Sequence, residues 1–443
     1  MKQYGQMTYK ISTLGCKVNQ QESGSIAARF EELGFTPAEK DEAASVCVIN
    51  SCTVSAVADG KTRQKIRQAR AANPGALICV IGCLPQVSRE AALGMPEVDI
   101  VIGSFDKGRT AELALEALEA KGGHCHPPGA IEPSASAVAA AAISGGRTRA
   151  YIKAEDGCDR FCAYCIIPYA RGPVRSRPLE ETLLEAKSLL EAGYKELALT
   201  GVNLALYGTD LPPDAEGAGI DLYRLAKGLC ALDAGGEYRV RLGSLEPAVV
   251  DARAAARIAG VKGVCPQFHL SLQSGAERTL KAMGRPYTPD DFEGIVRVLR
   301  ETDPLFSITT DVITGFPGET DADFEESLAF VKRTGFARAH VFKYSLRPGT
   351  RAAEMPDQVP EDVKRERSRL MIEAAEEGSA RFRADNLGKT RRTLIYGPDK
   401  SGRFIRGLTD NGIDVRIPVR EYAAAGDLLP NHFEHIVLNA AIL

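Results

Sequence analysis

Three thiols lie within eight residues, in the run Cys158-Asp159-Arg160-Phe161-Cys162-Ala163-Tyr164-Cys165. Spacings of four and three in one short loop let the sulfurs fold around a single metal centre. A structural zinc takes four ligands, and no fourth Cys or His stands nearby in the sequence. A cubane iron–sulfur cluster accepts three protein thiolates and leaves one iron open, and soft thiolates suit it. The rival reading, coincidence, is weak for three of 11 cysteines in 443 residues.

A second group is spread along the chain: Cys16, Cys52 and Cys83. Each follows a β-branched run that reads as a strand: Tyr9–Thr13, Val46–Asn50 and Leu77–Gly82. The C-terminal ends of parallel strands share one edge, where ligands bind. Loops leaving that edge would bring these thiols together, if the strands do form one sheet. Cys47 and Cys79 sit inside apolar runs and read as core residues. Cys125, Cys230 and Cys265 have no partner at metal-ligand spacing and read as structural.

The elements that would position these groups alternate along the chain. Helical stretches at Gln20–Leu33, Val57–Ala72 and Lys107–Glu119 separate those three strands and a fourth at Val98–Ile102. Such alternation predicts a parallel sheet flanked by helices. Residues 125–147, rich in Pro, Ala, Ser and Gly, read as a linker, with a helical turn at Ala139–Ala142 as the alternative. Alternation resumes with strands at Ala150–Ala154, Glu196–Thr200, Tyr238–Leu242, Gln267–Leu272, Ser307–Ile313 and Ala339–Tyr344. Helices at Leu179–Glu191, Pro289–Glu301 and Asp321–Lys332 lie between them. Six such units predict a barrel or partial barrel. After a long helix near Glu361–Ala384, a β-rich tail from Gly388 predicts a small barrel or sandwich. The fold class is therefore α/β, divided as 8–124, a linker 125–147, 148–376 and 377–443. About 150 residues per domain gives the same count of three.

Charge narrows the partners. Lys and Arg number 55 against 58 Asp and Glu, a net charge of -3, so a polyanion-binding surface has to be local. Between Arg381 and Arg406 eight basic residues face two acidic ones. A second basic run, Lys61 to Arg70, reads equally as a nucleic-acid patch or a solvated helix face. The opening residues lack the apolar core of a signal peptide, and no apolar run nears the roughly 20 residues of a membrane helix. A cytoplasmic location with reduced thiols is expected.

These motifs resemble a known family. CxxxCxxC with Tyr164 before the last Cys resembles the radical S-adenosylmethionine (SAM) signature. Thr13-Leu14-Gly15-Cys16-Lys17-Val18-Asn19-Gln20 and Asn50-Ser51-Cys52-Thr53-Val54 resemble the amino-terminal domain of the methylthiotransferases. The tail occupies the place of that family's small RNA-binding TRAM domain. Gly15-Cys16-Lys17-Val18-Asn19 and Ile166-Ile167-Pro168-Tyr169-Ala170-Arg171-Gly172 look most like the tRNA N6-threonylcarbamoyladenosine branch. The isopentenyladenosine branch reads Gln-Met-Asn after its first Cys, and the ribosomal-protein branch departs from Pro168–Arg171.

The resemblance implies the following chemistry. Cys158, Cys162 and Cys165 hold a [4Fe–4S] cluster that binds SAM and generates a 5′-deoxyadenosyl radical. Cys16, Cys52 and Cys83 hold a second [4Fe–4S] cluster carrying the sulfur to be inserted. The radical removes the hydrogen from carbon 2 of the purine at tRNA position 37, and the methylthio group joins there. That carbon is neither acidic nor attached to a leaving group, so the cofactors must carry the chemistry. Tyr164, Gly201, Asn203, Ser244, Glu246, Gln273 and Gly315 end strands or adjoin the loop, and are expected at the cofactor; a Gly/Pro turn is the alternative at Gly315. Arg171, Arg285, Arg381, Arg383, Lys389, Arg391 and Arg392 are expected to meet RNA. The partners implied are the tRNA anticodon loop, an electron donor such as flavodoxin or ferredoxin, and a sulfur donor, with no membrane. Rival readings are the same chemistry on isopentenyladenosine tRNA or a ribosomal-protein aspartate, and a non-catalytic Fe–S RNA-binding protein.

Overall fold

A computed structural model describes residues 7–120, 148–214, 217–420 and 430–442. The expected linker, 125–147, and Cys125 lie outside the described residues.

The amino-terminal unit runs β1 (Thr8–Thr13), α1 (Lys17–Glu32), β2 (Thr36–Pro37), β3 (Val46–Ser51), α2 (Ala56–Ala72), β4 (Leu77–Gly82), α3 (Cys83–Val87), α4 (Arg89–Leu93), β5 (Ile100–Ile102) and α5 (Thr110–Glu119). Its five strands pair in parallel in the order β2-β1-β3-β4-β5. Every residue of β3 is buried. Two apolar clusters explain this, one on each sheet face. Val46, Val48, Cys79 and Ile81 pack with α1 and α5 on one side. Cys47, Ile49, Ile78 and Val80 pack with Ile66 of α2 and Ala92 of α4 on the other. Continuous apolar strands are what a sheet covered on both faces requires.

The central unit contains β6 (Arg149–Lys153), β7 (Glu155–Asp156), α6 (Ile167–Arg171), β8 (Arg175–Ser176), α7 (Leu179–Glu191), β9 (Glu196–Thr200), α8 (Leu222–Cys230), β10 (Arg239–Arg241) and β11 (Ser244–Leu245). It continues with α9 (Ala252–Ala259), β12 (Gln267–Leu270), α10 (Glu277–Met283), α11 (Pro289–Thr302), β13 (Ser307–Thr314), α12 (Asp321–Thr334) and β14 (Arg338–Lys343). Two parallel sheets, β10-β9-β6 and β11-β12-β13-β14, make a partial barrel. The sequence reads one strand over Tyr238–Leu242, and the structure breaks it into β10 and β11 at Gly243. A Cβ there would stand 2.9 Å from the Leu199 carbonyl oxygen, so the chain passes β9 too closely for any other residue. Leu197, Val240, Phe268, Leu270, Ile308 and Val312 face outward into one core shared with the helices. The alternate residues therefore face the lumen.

The helix α13 (Glu361–Asp385) packs on α12 and β14 and spans the expected boundary at 376/377. Beyond it an antiparallel sheet has the order β17-β16-β15-β18, from β15 (Thr390–Pro398), β16 (Phe404–Thr409), β17 (Asp414–Pro418) and β18 (His432–Val437). It docks on the N-terminal ends of the barrel strands. Arg239 donates to the carbonyl oxygens of Arg392 and Leu408 at 3.2 and 2.9 Å, and Arg241 to that of Thr409 at 3.0 Å. No described helix is long and apolar enough to cross a membrane.

Candidate active site

The loop carrying Cys158, Cys162 and Cys165 leaves the C-terminal end of β6. Gly157 makes the turn at φ +86°, where a Cβ would fall 1.8 Å from the Pro173 carbonyl oxygen. The Cys158 N–H donates to the Gly172 carbonyl at 3.0 Å, and the Cys165 N–H to that of Cys162 at 2.9 Å. Ala163 N–H donates to Met283 O at 2.8 Å and its carbonyl accepts from Ala352 N–H at 2.7 Å, tying the loop to two distant segments. Phe161 is held at φ +45°, a conformation L-residues rarely adopt. Burial pushes the Cys158 thiol up to about 11 and the Cys165 thiol up to about 12, each raised further by the neighbouring thiols. Backbone N–H groups of Arg160 and Ile167 point at these two sulfurs and favour their thiolates. Three adjacent sulfurs with N–H donors aimed at them fit a thiolate-ligated cluster. Among the described residues no three His, Cys, Asp or Glu side chains converge as ligands of one ion, so a zinc site is not what these thiols form.

Polar groups expected at the cofactor surround this loop. Glu246, 2% exposed, accepts from Arg160 Nε at 2.8 Å, Asn203 Nδ2 at 2.7 Å and Arg285 Nη1 at 3.1 Å. Arg285 also donates to Cys162 Sγ at 3.3 Å. The Asn203 side chain also bonds the Cys158 thiol, and its backbone N–H donates to Glu155 Oε2 at 2.8 Å. A Cβ on Gly201 would meet that same oxygen at 2.5 Å. Tyr164 packs behind the loop against Met283, Phe316 and Tyr344. Gln273 ends its strand at φ +66°, bonded to Asp311 O and Ile313 N. Ser244 is half-buried on β11. Gly315 departs from expectation. Its N–H is occupied by Glu319 Oε1 at 2.9 Å, and a Cβ would meet Lys364 Cγ at 2.3 Å, so it serves the packing of α13 as a turn.

The second group gathers at the edge the strand order requires. Cys16, Cys52 and Cys83 follow β1, β3 and β4 directly. Gly15 lies at φ +96°, and a Cβ on it would stand 2.7 Å from Cys52 Cβ and 2.9 Å from Cys52 Sγ. Asn19 Nδ2 ties two of the loops together, donating to Leu14 O at 2.7 Å and Ser51 O at 2.9 Å. The Ser51 hydroxyl donates to Ile81 O at 2.6 Å and accepts from Leu84 N–H at 3.1 Å, adding the third loop. Cys52 and Cys83 are buried and Cys16 is exposed, which leaves the group open on one side. The Cys52 thiol is raised by burial and then by the neighbouring Cys83 and Cys16.

The two groups are brought together by charge and by packing. The Cys83 helix α3 packs on α6, which follows Cys165. Beneath them Arg171, 1% exposed, donates to Glu22 Oε1 at 2.8 Å, Asp156 Oδ1 at 3.1 Å and the Asn19 side chain. Lys107 and Lys153 complete the network on Glu22. These cations hold the Glu22 carboxyl below its usual range against the opposing effect of burial. On the other side Arg347 reaches from beyond β14 to Asp59 and Thr53, next to Cys52.

This arrangement corrects part of the RNA assignment. Arg171 is consumed by interior ion pairs, and Arg285 by Glu246 and Cys162. Arg391, 9% exposed, pairs with Asp303 at 2.8 Å and fastens the C-terminal sheet to the barrel. Arg392 is half-buried, stacked 3.8 Å from the Phe433 centroid and paired with Glu237 at 3.4 Å. Arg381, Arg383 and Lys389 are exposed. Sequence reasoning missed Glu22 and Glu155. Glu155 is 1% exposed, leaves Oε1 without a hydrogen bond, and is pushed up to about 8, chiefly by burial. A carboxylate ending an apolar strand three residues before Cys158 was its one local signal.

Comparison with known proteins agrees with this geometry. The Radical SAM superfamily model matches residues 154–331, and that of Uncharacterized protein family UPF0004 matches residues 8–103. In fold, the chain is similar to the radical S-adenosylmethionine methyltransferase TsrM from Kitasatospora setae, with TM-score 0.57 and 16% identity over 78% of this chain and 77% of that one. In sequence, it is 40% identical over 391 residues to a threonylcarbamoyladenosine tRNA methylthiotransferase of Thermotoga maritima, covering 87% of this chain and 86% of the relative. The counterpart of that name in Bacillus subtilis is 36% identical, covering 92% and 90%. A tRNA-2-methylthio-N(6)-dimethylallyladenosine synthase of Caldicellulosiruptor saccharolyticus is 34% identical, covering 91% and 85%. The fold and the cysteine loop define a radical SAM enzyme. The chain belongs to the radical SAM tRNA methylthiotransferase family, whose cofactors are SAM and two [4Fe–4S] clusters.

Proposed function

We propose that this enzyme methylthiolates carbon 2 of N6-threonylcarbamoyladenosine at position 37 of tRNA. The observation that carries the reading is the facing of two three-cysteine groups, through α3 on α6, at the mouth of one partial barrel. A protein that used one cluster structurally would have no need of a second open thiol trio beside it.

Cys158, Cys162 and Cys165 would hold the SAM-binding cluster, and Cys16, Cys52 and Cys83 the sulfur-carrying one. When bound, these groups supply the radical that takes the carbon 2 hydrogen and the sulfur that replaces it. The chain's own part is positional. Glu246 and Arg285 form a buried pair against Cys162, fixing the electrostatics of the loop without a free charge. Gly201, Asn203, Ser244 and Gln273 present polar groups at strand ends, where the methionine and ribose of SAM need hydrogen bonds. Glu155 fixes the 201–203 turn through the Asn203 N–H. The Glu22 network sets the separation of the two groups. The exposed cations of the C-terminal sheet's approach, Arg381, Arg383 and Lys389, would meet tRNA phosphates, as expected of a TRAM-like module. An electron donor of flavodoxin or ferredoxin type and a sulfur donor would serve it in the cytoplasm.

Nucleoside mass spectrometry of tRNA from a deletion strain tests this. Loss of the methylthiolated threonylcarbamoyl nucleoside, with the isopentenyl product intact and restoration by this gene, supports it. The reverse pattern transfers the enzyme to the isopentenyl substrate.

A further inference from the structure

The lumen of the barrel is polar where such lumens are commonly filled by branched apolar side chains. Register places Arg149, Tyr151 and Lys153 of β6 beside Glu196, Ala198 and Thr200 of β9. Across the lumen His269 bonds Thr309 Oγ1 at 3.0 Å and Asp311 Oδ2 at 3.3 Å, and its ring centroid lies 6.4 Å from that of His340. At the floor a single carboxylate, Glu196, serves three guanidinium groups: Arg149 at 2.6 Å, Arg239 at 2.6 Å and Arg241 at 3.1 Å. Cations are in excess.

Into this space comes Lys17, the residue after Cys16 and the first of α1. Its side chain lies in the field of Arg149, Arg241 and Glu196, and it acts in turn on His340. It faces open volume, yet protein encloses that volume closely enough that burial and the two guanidiniums lower its pKa. Among the described residues no carboxylate lies within ion-pair distance of its ammonium. The first turn of α1 holds no acidic residue to offset it, and a cation at a helix N-terminus opposes the helix dipole. Stability does not account for a lysine here. An anion entering the lumen does.

We propose that Lys17 is the specificity residue of this enzyme, pairing with the carboxylate of the threonylcarbamoyl group as that group enters the polar lumen. The inference rests on the substrate assigned above. The threonylcarbamoyl group carries a carboxylate, a hydroxyl and a urea; an isopentenyl group carries none of these. An apolar group would leave Lys17 and the His269–Asp311 wall desolvated without partners, which is how a polar site rejects an analogue.

The test uses anticodon stem-loop RNAs carrying threonylcarbamoyladenosine, its carboxyl methyl ester, or isopentenyladenosine. They are assayed with the reconstituted full-length enzyme for turnover, and by fluorescence anisotropy for binding in the absence of SAM. Wild type is expected to prefer the acid to the ester by roughly tenfold or more, the scale of one charge-assisted pair. Lys17→Gln should lose that preference in both assays while the ester is handled as by wild type, and Lys17→Arg should restore much of it. Equal handling of acid and ester by wild type overturns the proposal without reliance on any variant. So does a Lys17→Gln enzyme with the wild-type preference. Turnover of the isopentenyl RNA alone would overturn the substrate assignment itself, a result distinct from either.

Discussion

Arg171 and Glu22, 149 residues apart in sequence, meet at 2.8 Å in the interior between the sheet domain and the barrel. Lys107, Lys153 and Asp156 surround them. Removing one charge leaves the others buried and uncompensated. Glu22→Gln should cost about 3–5 kcal/mol, read as a lowered midpoint of chemical denaturation. Replacing Glu22 and Arg171 together by Met should cost less than the sum of the single changes. An additive pair would show that the two residues act separately.

Iron counts distinguish the two cysteine groups. Anaerobically reconstituted wild type should carry about eight irons, as two [4Fe–4S] clusters require. Ala at Cys158, Cys162 and Cys165 together, or at Cys16, Cys52 and Cys83 together, should leave about four. Loss of all iron from either triple variant would show that one group depends on the other. Product from Cys162→Ala would sink the radical assignment.

Gly15→Ala addresses the second group alone. A Cβ would press on Cys52 Cβ and Sγ from a backbone at φ +96°. About four irons should be lost, with the loop at Cys158–Cys165 still loaded. Retention of full iron would mean that the Gly15 turn relaxes without displacing Cys52.

Glu155 gives a pH signature. Its folded pKa of about 8 exceeds the ordinary value of 4.5. The unfolded chain therefore releases this proton first, and the group lowers stability progressively as pH rises from near 4.5 to near 8. The slope is at most roughly 1.4 kcal/mol per pH unit. Glu155→Gln removes the titration. The variant should match wild type near pH 5 and have the higher Tm at pH 8, measured by thermal melts across that range. A constant difference between the two proteins would contradict the assignment.

RNA binding should follow exposure and not the number of basic residues. Changing Arg381, Arg383 and Lys389 together to Ser should weaken RNA binding and shallow its salt dependence, by roughly one in slope for each phosphate no longer neutralised. Arg391→Ser should instead lower stability, because Asp303 loses its partner. Equal salt slopes in wild type and the triple variant would place the RNA elsewhere.

Most of the scaffold was legible in the sequence because its signals are local. Continuous apolar runs marked β3 and β4, and α7 lies at Leu179–Glu191 as its periodicity indicates. The cysteine groups were legible for the same reason, through one short spacing and three strand ends. What was hidden is tertiary. Nothing local separates Arg171, buried among carboxylates, from Arg381 in solvent. The break at Gly243 depends on how near β9 comes, and a two-residue strand has no periodicity to read. Lys17 stands inside the motif around Cys16, but its direction into the lumen follows only from how the two domains meet.

The C-terminal sheet is fastened to the barrel in a way that bears on how such enzymes diversify. Arg239 and Arg241 grip the oxygens of Arg392, Leu408 and Thr409, and those oxygens belong to the main chain. Every amino acid offers the same acceptor. The side chains of this module can therefore drift to suit new RNAs while its seat on the enzyme stays unchanged, and the barrel's floor acts as a socket indifferent to the sequence plugged into it.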